Sequence, residues 1–100
     1  SQFIINFMTE KILEATEFEY EASKYVFVYG GGTRKLTFEL EDDKIRYQYD
    51  ENPPQYIGNY VSGVNIDNVD GDTRRVIIEL TLYNQDYYKA EQIVYMRNAD

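Results

Sequence analysis

The sequence contains no cysteine, no histidine and no tryptophan, and only two prolines. The absence of cysteine excludes disulfides, thiolate nucleophiles and cysteine-ligated zinc. The absence of histidine removes the side chain whose unperturbed pKa lies near neutrality, which is also the commonest metal ligand. Catalysis would have to depend on carboxylates, lysine or tyrosine. We therefore expect that the protein is not an enzyme and that it uses no cofactor.

Basic residues are also few, because ten lysines and arginines stand against 18 acidic residues and give a formal net charge of −8. A nucleic-acid partner needs a surface rich in lysine and arginine to face its phosphates. The same acidity disfavours attachment to an anionic membrane surface. The composition therefore predicts no nucleic-acid binding.

Apolar residues are abundant and make up 43% of the 100 residues, with 11 tyrosines and 5 phenylalanines. This is enough material for one hydrophobic core, and a chain of this length ordinarily forms one domain. We expect residues 1–100 to form a single domain. Most tyrosines lie in or beside predicted strands, where they suit both sheet packing and a contact surface.

The first 15 residues have helical periodicity. At about 100° per residue, one face collects an apolar stripe, which consists of Ile4, Ile5, Met8, Ile12 and Ala15. The pattern predicts a helix over about 2–15. Phe3 and Phe7 lie four residues apart on a second side, where a soluble domain would place polar residues. We expect both rings to be exposed and to form an assembly interface.

After Thr16 the apolar period changes from 3.6 to 2, which indicates strands from about 24 to 97. Residues 17–21 also alternate and are either a short strand or a connector. Leu80 lies mid-strand on an aliphatic face, with Thr81 on the other face. Consecutive hairpins after one helix predict an α+β fold, in which an N-terminal helix packs on an antiparallel β-sheet meander.

Three aspartates, Asp67, Asp70 and Asp72, lie around a glycine turn. Calcium prefers about six to eight oxygen ligands, and such a loop could supply several of them. However, Val69 stands where a ligand would be needed, and no glutamate closes the loop. A polar hairpin turn is the favoured interpretation, with a calcium site as the alternative, so we expect no specific metal site.

Three C-terminal segments carry a family resemblance. Residues 61–66 read VSGVNI, residues 74–82 read RRVIIELTL and residues 94–98 read VYMRN. In this order they resemble the end of type IV pilin-like proteins, above all the minor pilins and minor pseudopilins of type IV pili, type II secretion and competence machines. The N-terminal helical pattern and the alternating residues 45–49 fit the same family.

The resemblance implies the head domain of a structural subunit that acts in filament assembly or tip contact. Its partners would be other pilin or pseudopilin subunits. Such a subunit is anchored in the cytoplasmic membrane by an N-terminal helix and then extracted into a filament at the cell surface. Because that membrane helix does not lie within these 100 residues, we expect it to precede Ser1. The alternatives are an unrelated α+β protein- or ligand-binding module of a surface or phage protein, and a carboxylate-based enzyme.

Overall fold

The computed structural model describes residues 2–99, which form one α-helix, eight strands and a short 3-10 turn at Gly30–Gly32. The helix, α1, spans Gln2–Ile12. The strands are β1 (Glu17–Glu21), β2 (Lys24–Tyr29), β3 (Arg34–Glu41), β4 (Lys44–Tyr49), β5 (Gln55–Ile57), β6 (Val61–Val69), β7 (Asp72–Asn84) and β8 (Asp86–Tyr95).

The predicted α+β fold with a single meander is wrong, because the strands form two separate sheets. Strands β1 to β5 form a five-stranded antiparallel sheet in sequence order, and β6 to β8 form a three-stranded one. The protein is therefore mostly antiparallel β-sheet with one short helix. The strands also begin at Glu17 and end at Tyr95, rather than covering about 24 to 97. Residues 17–21 are a strand, and β5 is a strand that the sequence pattern did not indicate.

The break between the sheets lies after β5. Gly58 has a φ of 88° and Tyr60 a φ of 62°, so the chain turns sharply where it would otherwise continue the meander. Asp43 holds this turn: the N–H of Tyr60 donates to its carboxylate (3.2 Å), and the N–H of Val61 donates to its carbonyl (2.9 Å). These two bonds fix the point at which β6 begins a new sheet.

The five-stranded sheet has one apolar and one polar face. Its register places Phe27 beside Leu36 on the apolar face, and both side chains are fully buried. On the polar face Glu39 lies 3.6 Å from Lys24 and 3.9 Å from Arg46. A half-covered antiparallel sheet with this alternation needs a second layer on its apolar face only.

The second layer is the three-stranded sheet together with α1. Val76, Ile78 and Leu80 of β7 are buried in the same core cluster as the apolar face of the first sheet. This confirms the prediction that Leu80 is buried. Leu82, on the same face, is only partly buried because it lies nearer the end of the hairpin.

The stripe predicted for the helix is buried as expected, including Ala15, although α1 ends at Ile12 rather than near residue 15. The free carbonyl groups at the helix end have other partners. The N–H of Arg97 donates to the carbonyl of Leu13 (3.0 Å), and the side-chain amide of Asn98 donates to the carbonyl of Glu14 (3.1 Å). The C-terminal segment thus replaces the next helical turn.

The five-stranded sheet also holds the last turn of α1. The hydroxyl of Tyr29 donates to the carbonyl of Lys11 over 2.6 Å. Burial raises the pKa of Tyr29 above its ordinary value, and the nearby Tyr49 and Glu14 raise it further. Among residues 2–99, no helix is both long enough and apolar enough to span a bilayer.

Replacement of Leu80 by alanine should lower the free energy of unfolding by about 2–5 kcal/mol, because it leaves a cavity in the core. Thr81→Ala is the control on the other face of β7 and should cost about 1 kcal/mol or less. Denaturant unfolding of both variants measures the difference. Equal losses would contradict this assignment of the two faces.

Tyr29→Phe should cost about 1–3 kcal/mol, because the Lys11 carbonyl loses its donor. The raised pKa also sets a pH dependence. The stabilisation from neutral Tyr29 is fully present below the unfolded-state value of about 10 and is lost as pH rises through the higher folded-state pKa. Unfolding free energies measured between pH 8 and 11 should therefore fall less steeply in Tyr29→Phe than in the parent. An unchanged slope would contradict this role.

Candidate interaction surfaces

The first candidate surface lies on α1, where the two phenylalanines differ. Phe3 is 72% exposed, as predicted. Phe7 is partly buried, so the expectation that both rings are exposed is wrong for this residue. Its ring lies 4.9 Å from that of Tyr47, and the ammonium group of Lys11 lies 5.3 Å from its centroid. Phe7 thus packs against Tyr47 of β4 at the margin of the core.

A shallow groove of about 320 Å³ lies between the end of α1 and strands β2 to β4. It is lined by Glu10, Lys11, Glu14, Tyr29, Arg34, Lys35 and Tyr49. Its lining includes both acidic and basic side chains, and the Tyr29 hydroxyl is already bonded to the helix. The groove therefore has neither a single sign of charge nor a free nucleophile with an adjacent base.

The three aspartates predicted as the only calcium candidates lie at the β6–β7 turn. Asp70 and Gly71 both have positive φ, 51° and 75°, which forms a tight hairpin turn of the predicted kind. Asp67 accepts a hydrogen bond from the N–H of Asn68 (2.8 Å). Asp72 accepts one from the N–H of Arg74 (2.9 Å) and one from Nε of Arg75 (3.0 Å).

These bonds explain the electrostatics of the turn. The N–H of Arg74, followed by the two guanidinium groups, holds the pKa of Asp72 below its usual range. The carboxylate thus works as a structural acceptor. Within residues 2–99, no three or more acidic side chains come together in an arrangement that could hold a metal ion.

Calcium at millimolar concentration should leave the melting temperature unchanged relative to chelator, because a ligand that binds only the folded state must raise its stability. Calorimetric titration of the parent and of Asp70→Ala measures this directly. A rise in melting temperature that Asp70→Ala abolishes would contradict the prediction.

A second candidate surface lies at the end of the β7–β8 hairpin. The rings of Tyr83 and Tyr87 are 4.7 Å apart, and both are about half exposed or more. Tyr88 is exposed on the other face of the same strand. The sequence indicated that tyrosines could form a contact surface, but it could not select these from the 11, because exposure depends on where the hairpin passes the core.

The structure also places the motifs of the family resemblance. Residues 61–66 lie in β6 and residues 74–82 in β7, whereas residues 94–98 form the end of β8 and the turn that bonds to the residues after α1. Comparison of the chain with family models, curated proteins and solved structures found no match. The relation to type IV pilin-like proteins therefore stays a prediction from the sequence.

Proposed function

We propose that this chain is the head domain of a structural subunit of a type IV pilus, or of a type II secretion or competence pseudopilus. It acts in filament assembly or tip contact and catalyses no reaction. The observation that supports this proposal is the exposure of Phe3 at the start of α1, on a helix whose opposite side is fixed in the core.

The argument starts from how α1 is held. Its last turn is bonded to Tyr29, and the turn after it to the C-terminal segment, so the helix direction is fixed. Its first turn carries an exposed aromatic ring one helical turn before the half-buried Phe7. Residues four apart lie on one side of a helix, so the exposed Phe3 and the partly buried Phe7 share a side of α1. Large apolar side chains on a rigid element are typical anchors of a protein contact.

The titratable groups support a structural role. The carboxylates of Asp43 and Asp72 accept backbone N–H groups, and the Tyr29 hydroxyl donates to a backbone carbonyl. The pKa of each carboxyl is lowered, first of all by the backbone N–H that it accepts. Each of these two carboxyl shifts thus follows first from a bond that holds a turn.

Phe3→Ser should leave the stability of the domain within about 1 kcal/mol, as at other exposed sites. Phe7→Ser should lower stability by about 1–3 kcal/mol, because it removes a partly buried ring that packs on Tyr47. In the complete subunit, Phe3→Ser should reduce incorporation into the filament, measured as subunit recovered in sheared filaments relative to cells. Glu10→Ser, at an exposed position of the same helix, is the matched control.

Incorporation of Phe3→Ser at the control level would contradict the assembly role. The gene provides a second test, since the proposal expects a leader followed by about 20 apolar residues encoded before Ser1. Another soluble domain at that place would contradict the proposal.

A second candidate function is a protein-binding module of a surface or phage protein. The exposed pair of Tyr83 and Tyr87 favours it, because tyrosine supplies large contact area at a low cost in side-chain entropy. Alanine replacement of this pair would then abolish binding to the partner, while Phe3→Ser would have no effect.

A further inference from the structure

The four strands at the sheet edges differ in how they are protected against pairing with another chain. Strand β1 carries three glutamates in five residues, and β5 is three residues long and follows two prolines. Strand β6 has two register irregularities along its length. Charge, shortness, proline and bulges are the usual means of blocking an edge. Strand β8 is ten residues long, contains no proline and pairs with β7 without a break in register.

The direction of the backbone groups of β8 follows from two hydrogen bonds of β7. The N–H of Tyr83 donates to Tyr60, which precedes β6, and the carbonyl of Arg74 accepts from Met96, which follows β8. In an antiparallel strand the backbone groups of successive residues point to opposite sides. The backbone groups of the even-numbered residues of β7 therefore point toward β8. Their partners in β8 are also even-numbered, and the backbone groups of these partners point back toward β7. The odd-numbered residues of β8, from Tyr87 to Tyr95, direct their N–H and C=O groups to the free edge.

We propose that this edge pairs with the same edge of a second copy of the chain. The two β8 strands run antiparallel, and the two-fold axis that relates the copies passes between their Ala90 residues. The two three-stranded sheets would then form one six-stranded sheet. In this register Lys89 lies opposite Glu91 of the partner subunit, and Tyr87 lies opposite Ile93 of the partner subunit. All of these residues have edge-directed backbone groups, and the ladder of hydrogen bonds can continue across the interface at Lys89 and Glu91. At the outer pair, the N–H of Tyr87 donates to the carboxylate of Asp86 (2.8 Å) and the carbonyl of Ile93 accepts from the side-chain amide of Gln92 (3.0 Å), so dimerisation must exchange these two exposed bonds for backbone bonds. This proposal does not depend on the function proposed above.

Charge selects this register. A two-fold axis at residue 89 would place Lys89 opposite itself, and an axis at residue 91 would place Glu91 opposite itself. Opposite charges in directly facing pairs stabilise a sheet, and like charges destabilise it. Only the axis at Ala90 gives two lysine–glutamate pairs, while the small Ala90 side chains meet at the centre.

Within one chain, neither Lys89 nor Glu91 has a side chain of opposite charge directly facing it. Glu91 lies directly opposite Glu79 of β7, and Lys89 lies opposite Thr81. Among the salt bridges of residues 2–99, none includes Lys89 or Glu91. Lys89 of the partner subunit would provide Glu91 with a counter-charge. Tyr87 and Ile93, which are 66% and 51% exposed, would form a cross-strand aromatic–aliphatic pair of the kind that sheets favour.

Sedimentation equilibrium at 0.15 M salt tests the proposal, since this salt screens much of the repulsion between two chains of net charge −8. The unaltered chain should form a concentration-dependent dimer. Lys89→Glu or Glu91→Lys alone should raise the dimer dissociation constant at least about tenfold, because each makes both facing pairs like-charged. Circular dichroism should show the fold of each variant unchanged, since both positions are exposed.

Mixing the two variants provides the matched control. In a heterodimer of Lys89→Glu with Glu91→Lys, every facing pair again has opposite charges, so an equimolar mixture should recover the dimer that neither variant forms alone. A chain that stays monomeric at millimolar concentration overturns the proposal. A dimer that is insensitive to both reversals, or a mixture that does not recover, also overturns it.

Amide hydrogen exchange on the unaltered chain provides a test without any substitution. The amides of Lys89, Glu91 and Ile93 should exchange more slowly as protein concentration rises, because dimerisation adds hydrogen bonds to them. The amides on the free edge of β1 are the internal control and should not change. Protection that is independent of concentration at the β8 edge contradicts the proposal.

Discussion

Contact of α1 with both sheets is the interaction on which the rest of the structure depends. Ile5, Met8 and Ile12 are almost wholly buried in the core shared by the two sheets. Ile4 also reaches Gly58, where a Cβ atom would lie 2.6 Å from its Cδ1. The helix therefore packs in the core that the two half-covered sheets share. Its last turn is bonded to Tyr29 of the five-stranded sheet, and the turn after it is bonded to the segment that follows β8.

The consequence of the break after β5 is a second pair of sheet edges. A single meander of eight strands would have ended at β1 and β8 only, whereas two sheets also expose β5 and β6. The chain protects β5 by its shortness and β6 by its irregular pairing. Strand β8 carries neither protection, and its residues face outward on one side and α1 on the other. An edge of this kind is where a β-protein meets another chain.

The surfaces that remain available have different physical characters. The start of α1 presents an apolar ring on a fixed helix, whereas the edge of β8 presents a backbone ladder with alternating charges. The end of the β7–β8 hairpin presents the two exposed, mutually tilted rings of Tyr83 and Tyr87. The charged groups with perturbed pKa values lie elsewhere and hold turns.

The local features of this protein are determined by the sequence. The period of 3.6 identified the buried stripe of α1, and the period of 2 placed Leu80 inward, because the repeat of each element decides which side chains share a face. The turn at Asp70 and Gly71 followed from residues that tolerate positive φ. These features depend on neighbours in the chain and so can be read from it.

Only the tertiary structure decided which distant strands pair and which distant side chains pack together. Alternation shows that a strand has an inward face but not which sheet it joins, so the division into two sheets depended on Asp43 bonding to residues 60 and 61. Phe3 and Phe7 have the same pattern in the sequence, yet only Phe7 meets Tyr47, 40 positions away. The edge of β8 was likewise not foreseeable, because an edge exists only once the order of the strands is known. Exposure and pairing are properties of contacts between segments far apart in the chain, and such contacts leave no periodic signal in either segment alone.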